Sequence, residues 1–265
     1  MRRNTNQPEI APAHLPIALG GIATGSHSTA GNGSGVVPMT SIGRSRSLDK
    51  SPLFDALDEQ GRRELLSRAW PLSFTAGEPI CHFGEPGCTM MAVVVGTVRI
   101  WLPIAKGREL ILADLPAGEL FGEIAMLDGG PRSANATALT NCELLMVERR
   151  DVLSVFAKYP AACLKMMQIL CGRIRRSDER MIDIAFFELP TRLAKTLLQY
   201  SALRQCRGPA KLSLSQRELA EMAGGTRENV NRCMREWQRR GILQLKDRWI
   251  TILMPEALRA VVDRP

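Results

Sequence analysis

The sequence of 265 residues contains no hydrophobic run approaching the ~20 residues of a membrane span, so no membrane partner is expected. A short apolar patch near the N-terminus is broken by glycines, which argues against a signal peptide. The seven cysteines form no C-x-x-C pair and are interpreted as reduced thiols, which favours a cytoplasmic location. Walker, H-E-x-x-H and G-x-S-x-G motifs are missing too, so we predict no catalytic residues, no metal and no enzymatic activity.

The net charge of +8 is unevenly distributed along the chain. Residues 72–160 carry 7 basic and 10 acidic groups, whereas residues 200–265 carry 13 basic and 7 acidic groups. The positive excess therefore lies mainly in the last quarter, which indicates a polyanionic partner for that quarter. A basic face is often only a solvated surface, so charge alone is weak evidence for a nucleic-acid partner.

Changes in composition divide the chain into consecutive segments. Residues 1–47 are rich in glycine, serine and threonine and are expected to form a disordered low-complexity tail, with Met39 as an alternative start of translation. Residues 48–160 follow as a second segment, with one helix predicted around Ser51 to Trp70. Short apolar runs separated by glycine turns come next and favour a β-roll over a parallel sheet.

A long helix is predicted for residues 161–188, because Gly172 is the only helix breaker in that segment. The seam residues Met167, Leu170, Ile174, Ser177, Met181 and Ile184 recur at spacings of three and four. Such a stripe is commonly core, but on a long helix between two domains it predicts a homodimer interface. Ser177 is its polar member, and it either sets the register or faces a polar group held between the subunits.

Residues 189–265 begin with a break at Leu189-Pro190 and contain two helices joined by a tight turn. Ser215 and Glu218 have the spacing of a capping box, and Gly224-Gly225 ends that helix before Thr226 caps the next. Two faces of the second helix differ in polarity: Val230, Cys233, Met234 and Trp237 are predicted to pack inward, and Arg227, Glu228, Asn231, Arg232 and Arg235 to face outward.

The outward set suits the reading of DNA base edges, because arginine forks onto guanine and glutamate accepts a hydrogen bond from cytosine. The stretch ILQLKDRWITIL then predicts two short strands around a turn whose cations, Lys246 and Arg248, meet phosphate. A helix-turn-helix domain with a wing that binds double-stranded DNA is therefore predicted.

The stretch FGEIAMLDGGPRSA, from Phe121 to Ala134, places Glu123 after Gly122 and the pair Arg132-Ser133 nine residues beyond Glu123. The acid and the arginine could pair with each other. They could also be two ends of one grip on a small molecule that carries hydroxyls and a phosphate.

On these motifs the chain resembles the CRP/FNR family of bacterial transcription regulators, especially its cAMP receptor protein branch, over about Ser51 to Leu253. The resemblance implies an α+β fold with a cyclic-nucleotide-binding β-roll, a long dimerisation helix and a C-terminal winged helix-turn-helix. It implies a homodimer whose DNA binding is controlled allosterically by a cyclic nucleotide. RNA polymerase is a further partner left open, since the segment from Arg204 to Lys211 matches a contacting surface of the family.

The resemblance also implies the site residues. The cyclic-nucleotide site comprises Gly122, Glu123, Ile124, Ala125, Arg132, Ser133, Ser177 and Asp178. Glu123 would accept the ribose 2′-hydroxyl, Arg132 and Ser133 would hold the phosphate, and Ser177 would meet the base. The expected effector is cAMP, with cGMP left open because Asp178 replaces the family's serine. In the DNA site, Arg227, Glu228 and Arg232 would read a TGTGA-like half-site. The other predicted DNA-binding residues are Asn231 on the same helix and Ser215, Gln216, Arg217, Thr226, Lys246 and Arg248 toward phosphate.

Regulators of the same family that sense another signal, or that act without ligand, are the alternatives. An iron–sulfur sensor needs a cluster of N-terminal cysteines, and no cysteine precedes Cys81. Cys81-His82 could suggest haem, although such a pair is more often structural. Neither sensor requires Glu123 together with Arg132-Ser133, which favours the nucleotide.

Overall fold

A computed structural model describes residues 51–104, 108–203, 211–247 and 249–263. The predicted tail (residues 1–47), Arg248 and the segment before Lys211 that was compared with a polymerase-contacting surface lie outside the described residues.

The first part of the fold is a pair of short helices, α1 (Pro52–Asp55) and α2 (Glu59–Ser67). The prediction of one helix from Ser51 to Trp70 was therefore wrong. Asp58 has extended backbone geometry, and its carboxylate accepts a hydrogen bond from the Gly61 N–H at 2.7 Å. This N-cap starts a new helix where the apolar pattern alone suggested continuity.

Eight strands then form two four-stranded antiparallel sheets, ordered β1-β8-β3-β6 and β2-β7-β4-β5. The strands are β1 (Trp70–Phe74), β2 (Pro79–Cys81), β3 (Thr89–Val95), β4 (Thr97–Ile104), β5 (Arg108–Pro116), β6 (Leu120–Phe121), β7 (Asn135–Ala138) and β8 (Cys142–Glu148). Helix α3 (Glu123–Asp128) lies between β6 and β7. Val93, Val98 and Leu144 are buried between the sheets, so this domain, called the roll below, has its own core.

Helix α4 (Arg149–Lys158) leads into α5 (Pro160–Phe186), the long helix of 27 residues. The N-terminal part of α5 packs on the roll, because Met166 shares a buried cluster with Leu53 and Met126. Beyond that part, large apolar side chains of α5 are exposed, among them Ile174 at 60% and Met181 at 67%. Within the described ranges, no helix is long and apolar enough to cross a membrane.

The C-terminal domain, called the reader below, comprises α6 (Leu189–Leu203), β9 (Lys211–Leu212), α7 (Gln216–Ala223), α8 (Arg227–Arg239), β10 (Leu243–Lys246), β11 (Trp249–Ile252) and α9 (Pro255–Val262). Its antiparallel strands are ordered β10-β11-β9. Leu197, Leu219 and Met234 are fully buried in its core. The predicted α+β architecture of a β-roll, a long helix and a C-terminal helix-turn-helix domain is therefore confirmed.

Candidate functional site

The stretch from Gly122 to Ser133, called the cassette below, contains most of the residues predicted for the cyclic-nucleotide site. Gly122 precedes α3 with left-handed backbone geometry, φ +78°. A Cβ at this position would overlap Nη1 of Arg132 and lie 3.0 Å from the Thr89 carbonyl oxygen. Only glycine accommodates both the positive φ and the guanidinium that crosses over it. The glycine of the F-G-E pattern thus allows the Arg132 side chain to lie close to the backbone of residue 122.

A Gly122→Ala variant is expected to be less stable than a matched Gly77→Ala variant. Gly77 has a similar φ of +87° but has no atom within 4 Å of an added Cβ, so it reports the backbone cost alone. That cost is about 1–2 kcal/mol, and overpacking against Arg132 adds about 1–3 kcal/mol at Gly122. Urea unfolding of both variants measures the difference, and equal losses would contradict the close approach.

Arg132 crosses the cassette from the loop after α3, and its side chain is buried, with 6% of the residue exposed. Nη1 donates to the carbonyl oxygens of Thr89 at 2.7 Å and Gly122 at 3.2 Å, and Nη2 donates to Thr89 Oγ1 at 2.6 Å. Its Nε is buried without a hydrogen-bond partner. The role of Thr89 in holding this guanidinium was not predicted, because Thr89 lies 43 residues earlier in the chain.

Glu123 is the first residue of α3 and is 2% exposed. Its Oε1 accepts a hydrogen bond from Nη1 of Arg173 on α5 at 2.5 Å, while its Oε2 is buried without a partner. Arg173 also donates through Nη2 to the Leu120 carbonyl oxygen. The acid is thus paired with the long helix rather than with Arg132, so the alternative of a Glu123–Arg132 pair was wrong.

Arg173 is a second residue of this site, after Thr89, that was not predicted from the sequence. A signal for it existed: Arg173 precedes Ser177 by four residues, which is one helical turn, so both lie on one side of α5. The Ser177 hydroxyl donates to the Arg173 carbonyl oxygen at 3.1 Å. Ser177 is exposed, and so is its neighbour Asp178.

The other predicted cassette residues differ in exposure. Ala125 is 1% exposed, and its Cβ would lie 2.6 Å from a Cβ added at Gly87, so the segment before Thr89 packs tightly on α3. Ile124 is 43% exposed, and Ser133 is also exposed. The structure therefore brings the buried Glu123 and Arg132 together around the half-buried Gly122 and leaves Ser133 at the surface.

The helix predicted to read DNA is α8, whose N-terminus is capped by Thr226 through a hydrogen bond from the Asn229 N–H at 3.3 Å. Val230, Met234 and Trp237 are buried, as expected for the inward face. The outward residues Arg227, Glu228, Arg232 and Arg235 are exposed. Asn231 departs from this set because it is half-buried and its Oδ1 is enclosed without a hydrogen-bond partner.

The residues predicted to face phosphate surround the start of α7 and the wing. Ser215 and Glu218 form the predicted capping box, with both reciprocal hydrogen bonds present. Gln216 is half-buried, whereas Arg217 and Lys246 are exposed. Arg217 forms ion pairs with Glu221 at 2.7 Å and with Glu109 of the roll at 3.6 Å.

Cys81 and His82, the residues that could suggest haem, differ in exposure. Cys81 is buried, and burial raises the pKa of its thiol. His82 is exposed, and its ring Nδ1 lies 3.1 Å from Glu85 Oε1. Over the residues with assigned positions, no group of three or more His, Cys, Asp or Glu side chains is arranged to hold a metal ion.

A β-roll with a buried acid and arginine, joined by a long helix to a helix-turn-helix domain with a basic outward face, defines the class of ligand-sensing DNA-binding regulators. Two family models match the corresponding segments: a cyclic nucleotide-binding domain over residues 71–159 and a Crp-like helix-turn-helix domain over residues 191–261.

The curated relatives agree with this class. A cyclic AMP receptor protein from Thermus thermophilus is 35% identical over 195 residues, covering 74% of this chain and 89% of the relative. A CRP-like cAMP-activated global transcriptional regulator from Mycobacterium tuberculosis is 28% identical, covering 80% and 96%. The solved structure of a CRP/FNR-family regulator from Thermus thermophilus is 26% identical, with a TM-score of 0.61 and coverage of 74% and 99%. The chain belongs to the CRP/FNR family of transcription regulators.

Proposed function

We propose that this protein is a homodimeric regulator whose binding to a TGTGA-like palindrome is controlled by cAMP. The observation that carries the proposal is a pair of buried polar atoms without partners, Glu123 Oε2 and Arg132 Nε. Buried polar atoms in native proteins are nearly always hydrogen-bonded. A ligand that offers both a hydroxyl hydrogen and a phosphate oxygen within this one cassette would satisfy both atoms.

A cyclic nucleotide has the groups that Glu123 and Arg132 could bind. The Glu123 carboxylate accepts a ribose hydroxyl, whereas Arg132 and the exposed Ser133 donate to an anionic phosphodiester. Arg173 on α5 forms an ion pair with Glu123. Through this pair α5 is linked directly to the carboxylate that would bind the ribose. The Thermus thermophilus and Mycobacterium tuberculosis relatives are both named for cAMP, which supports adenine as the base.

A homodimer through α5 is supported by the exposed apolar seam. Ile174, Met181 and Ile184 are 60%, 67% and 53% exposed, which leaves a line of large hydrophobic side chains without cover along α5. A second copy would bury this line as a coiled coil and would bring Ser177 into the seam. Two reader domains would then meet two half-sites about one helical turn (~34 Å) apart.

Base reading is assigned to the exposed residues Arg227, Glu228 and Arg232 on α8, with Asn231 in a supporting position. Phosphate contacts are assigned to Ser215, Gln216, Arg217, Thr226 and Lys246, with Arg248 between β10 and β11. Contact with RNA polymerase stays a prediction, because the segment to which it was assigned, before Lys211, lies outside the described residues.

The test is isothermal titration of the purified protein with cAMP and with cGMP, followed by a gel shift on TGTGA-N6-TCACA with and without ligand. Binding of cAMP with a ligand-dependent shift is expected. Preference for cGMP would assign base choice to the exposed Asp178, whose carboxylate accepts the guanine donors. A shift without any nucleotide binding would retain the DNA-reading function and exclude the cassette as the sensor.

A further inference from the structure

The roll and the reader are joined by a half-buried ionic cluster, called the clasp below. It is formed by Arg99 on β4, Asp114 on β5, Tyr200 on α6 and Glu218 on α7. Arg99 donates to Asp114 at 2.8 and 2.9 Å and to Glu218 at 2.8 Å. The Tyr200 hydroxyl donates to Asp114 at 2.8 Å. The side chains of Arg99, Asp114 and Glu218 are 14%, 11% and 25% exposed, so water screens the cluster weakly.

The charges of the clasp stabilise one another. Burial alone lowers the pKa of Arg99, but hydrogen bonds from its guanidinium to Asp114 and Glu218 raise that pKa above its ordinary value. Burial alone raises the pKa of Glu218, but hydrogen bonds from the Ser215 backbone and from Arg99 lower it below its ordinary value. Arg99 and Glu218 are therefore both ionised at neutral pH.

Arg180 on α5 connects the same two domains at a second point. Its Nη1 donates to the Leu112 carbonyl oxygen on β5 at 2.8 Å. Its Nη2 donates to the carbonyl oxygens of Ile111 at 2.5 Å and of Met222, on α7, at 3.1 Å. Arg180 is seven residues, or two helical turns, after Arg173. One side of α5 thus contacts both Glu123 of the cassette and helix α7 of the reader.

The contact between the domains also engages a residue assigned to DNA. Glu109 on β5 lies 3.6 Å from Arg217 on α7, so an acid of the roll faces a cation that DNA phosphate would meet. Phosphate and carboxylate compete for the same guanidinium. A contact that keeps β5 packed against α7 therefore opposes the binding of DNA phosphate by Arg217.

We propose that the clasp restrains the reader, so that the roll and DNA compete for α7; this inference rests on the proposed function. A nucleotide that engages Glu123 changes the position of Arg173, and because Arg173 and Arg180 share one helix, the contact between β5 and α7 changes with it. The clasp therefore gives the nucleotide a differential affinity for the two states, which allosteric control requires.

The experiment measures DNA affinity of the full chain by fluorescence anisotropy on the palindrome, with and without cAMP. Glu109→Gln removes the competing acid and Tyr200→Phe removes one hydrogen bond of the clasp. The matched controls are Glu119→Gln, an exposed acid of the roll, and Tyr159→Phe, which alters the other of the two tyrosines of the sequence. Neither control residue belongs to the clasp.

Without nucleotide, Glu109→Gln is expected to tighten DNA binding about two- to fivefold and Tyr200→Phe about five- to twentyfold. Affinity with cAMP should change less than about twofold, so the response to nucleotide shrinks by a similar factor. Nucleotide-free affinity that matches the controls, or is weaker, would overturn the proposal.

The result remains readable if the proposed function fails. A protein that binds DNA without responding to nucleotide still gives the nucleotide-free comparison. If the wild-type chain binds no palindrome under any condition, the DNA assignment is wrong. The rate of amide hydrogen exchange in α7 then tests whether the clasp holds α7 against the roll. Faster exchange of α7 and β5 in Tyr200→Phe than in Tyr159→Phe would support it, and equal exchange would refute it.

Discussion

An Arg132→Leu variant is expected to keep its fold and to lose nucleotide-dependent DNA binding. The guanidinium is the buried cation of the cassette, and it carries the Nε atom that lacks a partner. Hydrogen bonds to a charged group contribute about 1.5–3 kcal/mol each, so loss of two phosphate contacts lowers nucleotide affinity roughly 10²- to 10⁴-fold. Titration calorimetry measures the affinity, and a gel shift measures the loss of response.

The matched variant is Arg132→Lys, which keeps the charge but not the planar fork. It should retain a weak nucleotide response, while Arg132→Leu retains none. Both variants free the Thr89 and Gly122 carbonyl oxygens, so both should lose a similar amount of stability. An undiminished nucleotide response in Arg132→Leu would remove the cassette from the sensing mechanism.

Conversion of the α5 seam to a charged surface is expected to yield a monomer that no longer binds the palindrome tightly. Met181→Asp together with Ile184→Asp places two carboxylates in the interface, where like charges from both copies would face each other. The second half-site is then no longer bound intramolecularly, which lowers affinity for the palindrome roughly 10²- to 10⁴-fold. Light scattering coupled to size exclusion reports the mass, and anisotropy reports the affinity.

Gln168→Asp is the control, because it adds a carboxylate to an exposed position of the same helix outside the seam. It should remain dimeric and bind DNA as the wild type does. A dimer that survives both seam substitutions would place the subunit interface elsewhere. Preserved binding to a single half-site in the monomer would show that the reader itself remains folded.

Local patterns predicted most of the reader, because the relevant interactions join residues close in sequence. The capping box links Ser215 to Glu218 across three positions, and Gly224 has the positive φ, +64°, that the tight turn requires. The alternation of apolar and polar residues on α8 follows the helical period. Periodicity failed at Asp58, where a cap interrupts an apolar pattern that fits one helix.

The sequence by itself determined the residue types of the candidate cassette and of the helix-turn-helix, and it determined the order of roll, long helix and reader. Only the tertiary structure decided their partners. Glu123 pairs with Arg173, 50 residues away, and Arg99 with Glu218, 119 residues away. Such pairs depend on how sheets and helices pack, and no local spacing encodes that packing. The same packing left Glu123 Oε2 and Arg132 Nε without partners and set the roll against α7 of the reader, because long-range contacts form only when the chain is folded.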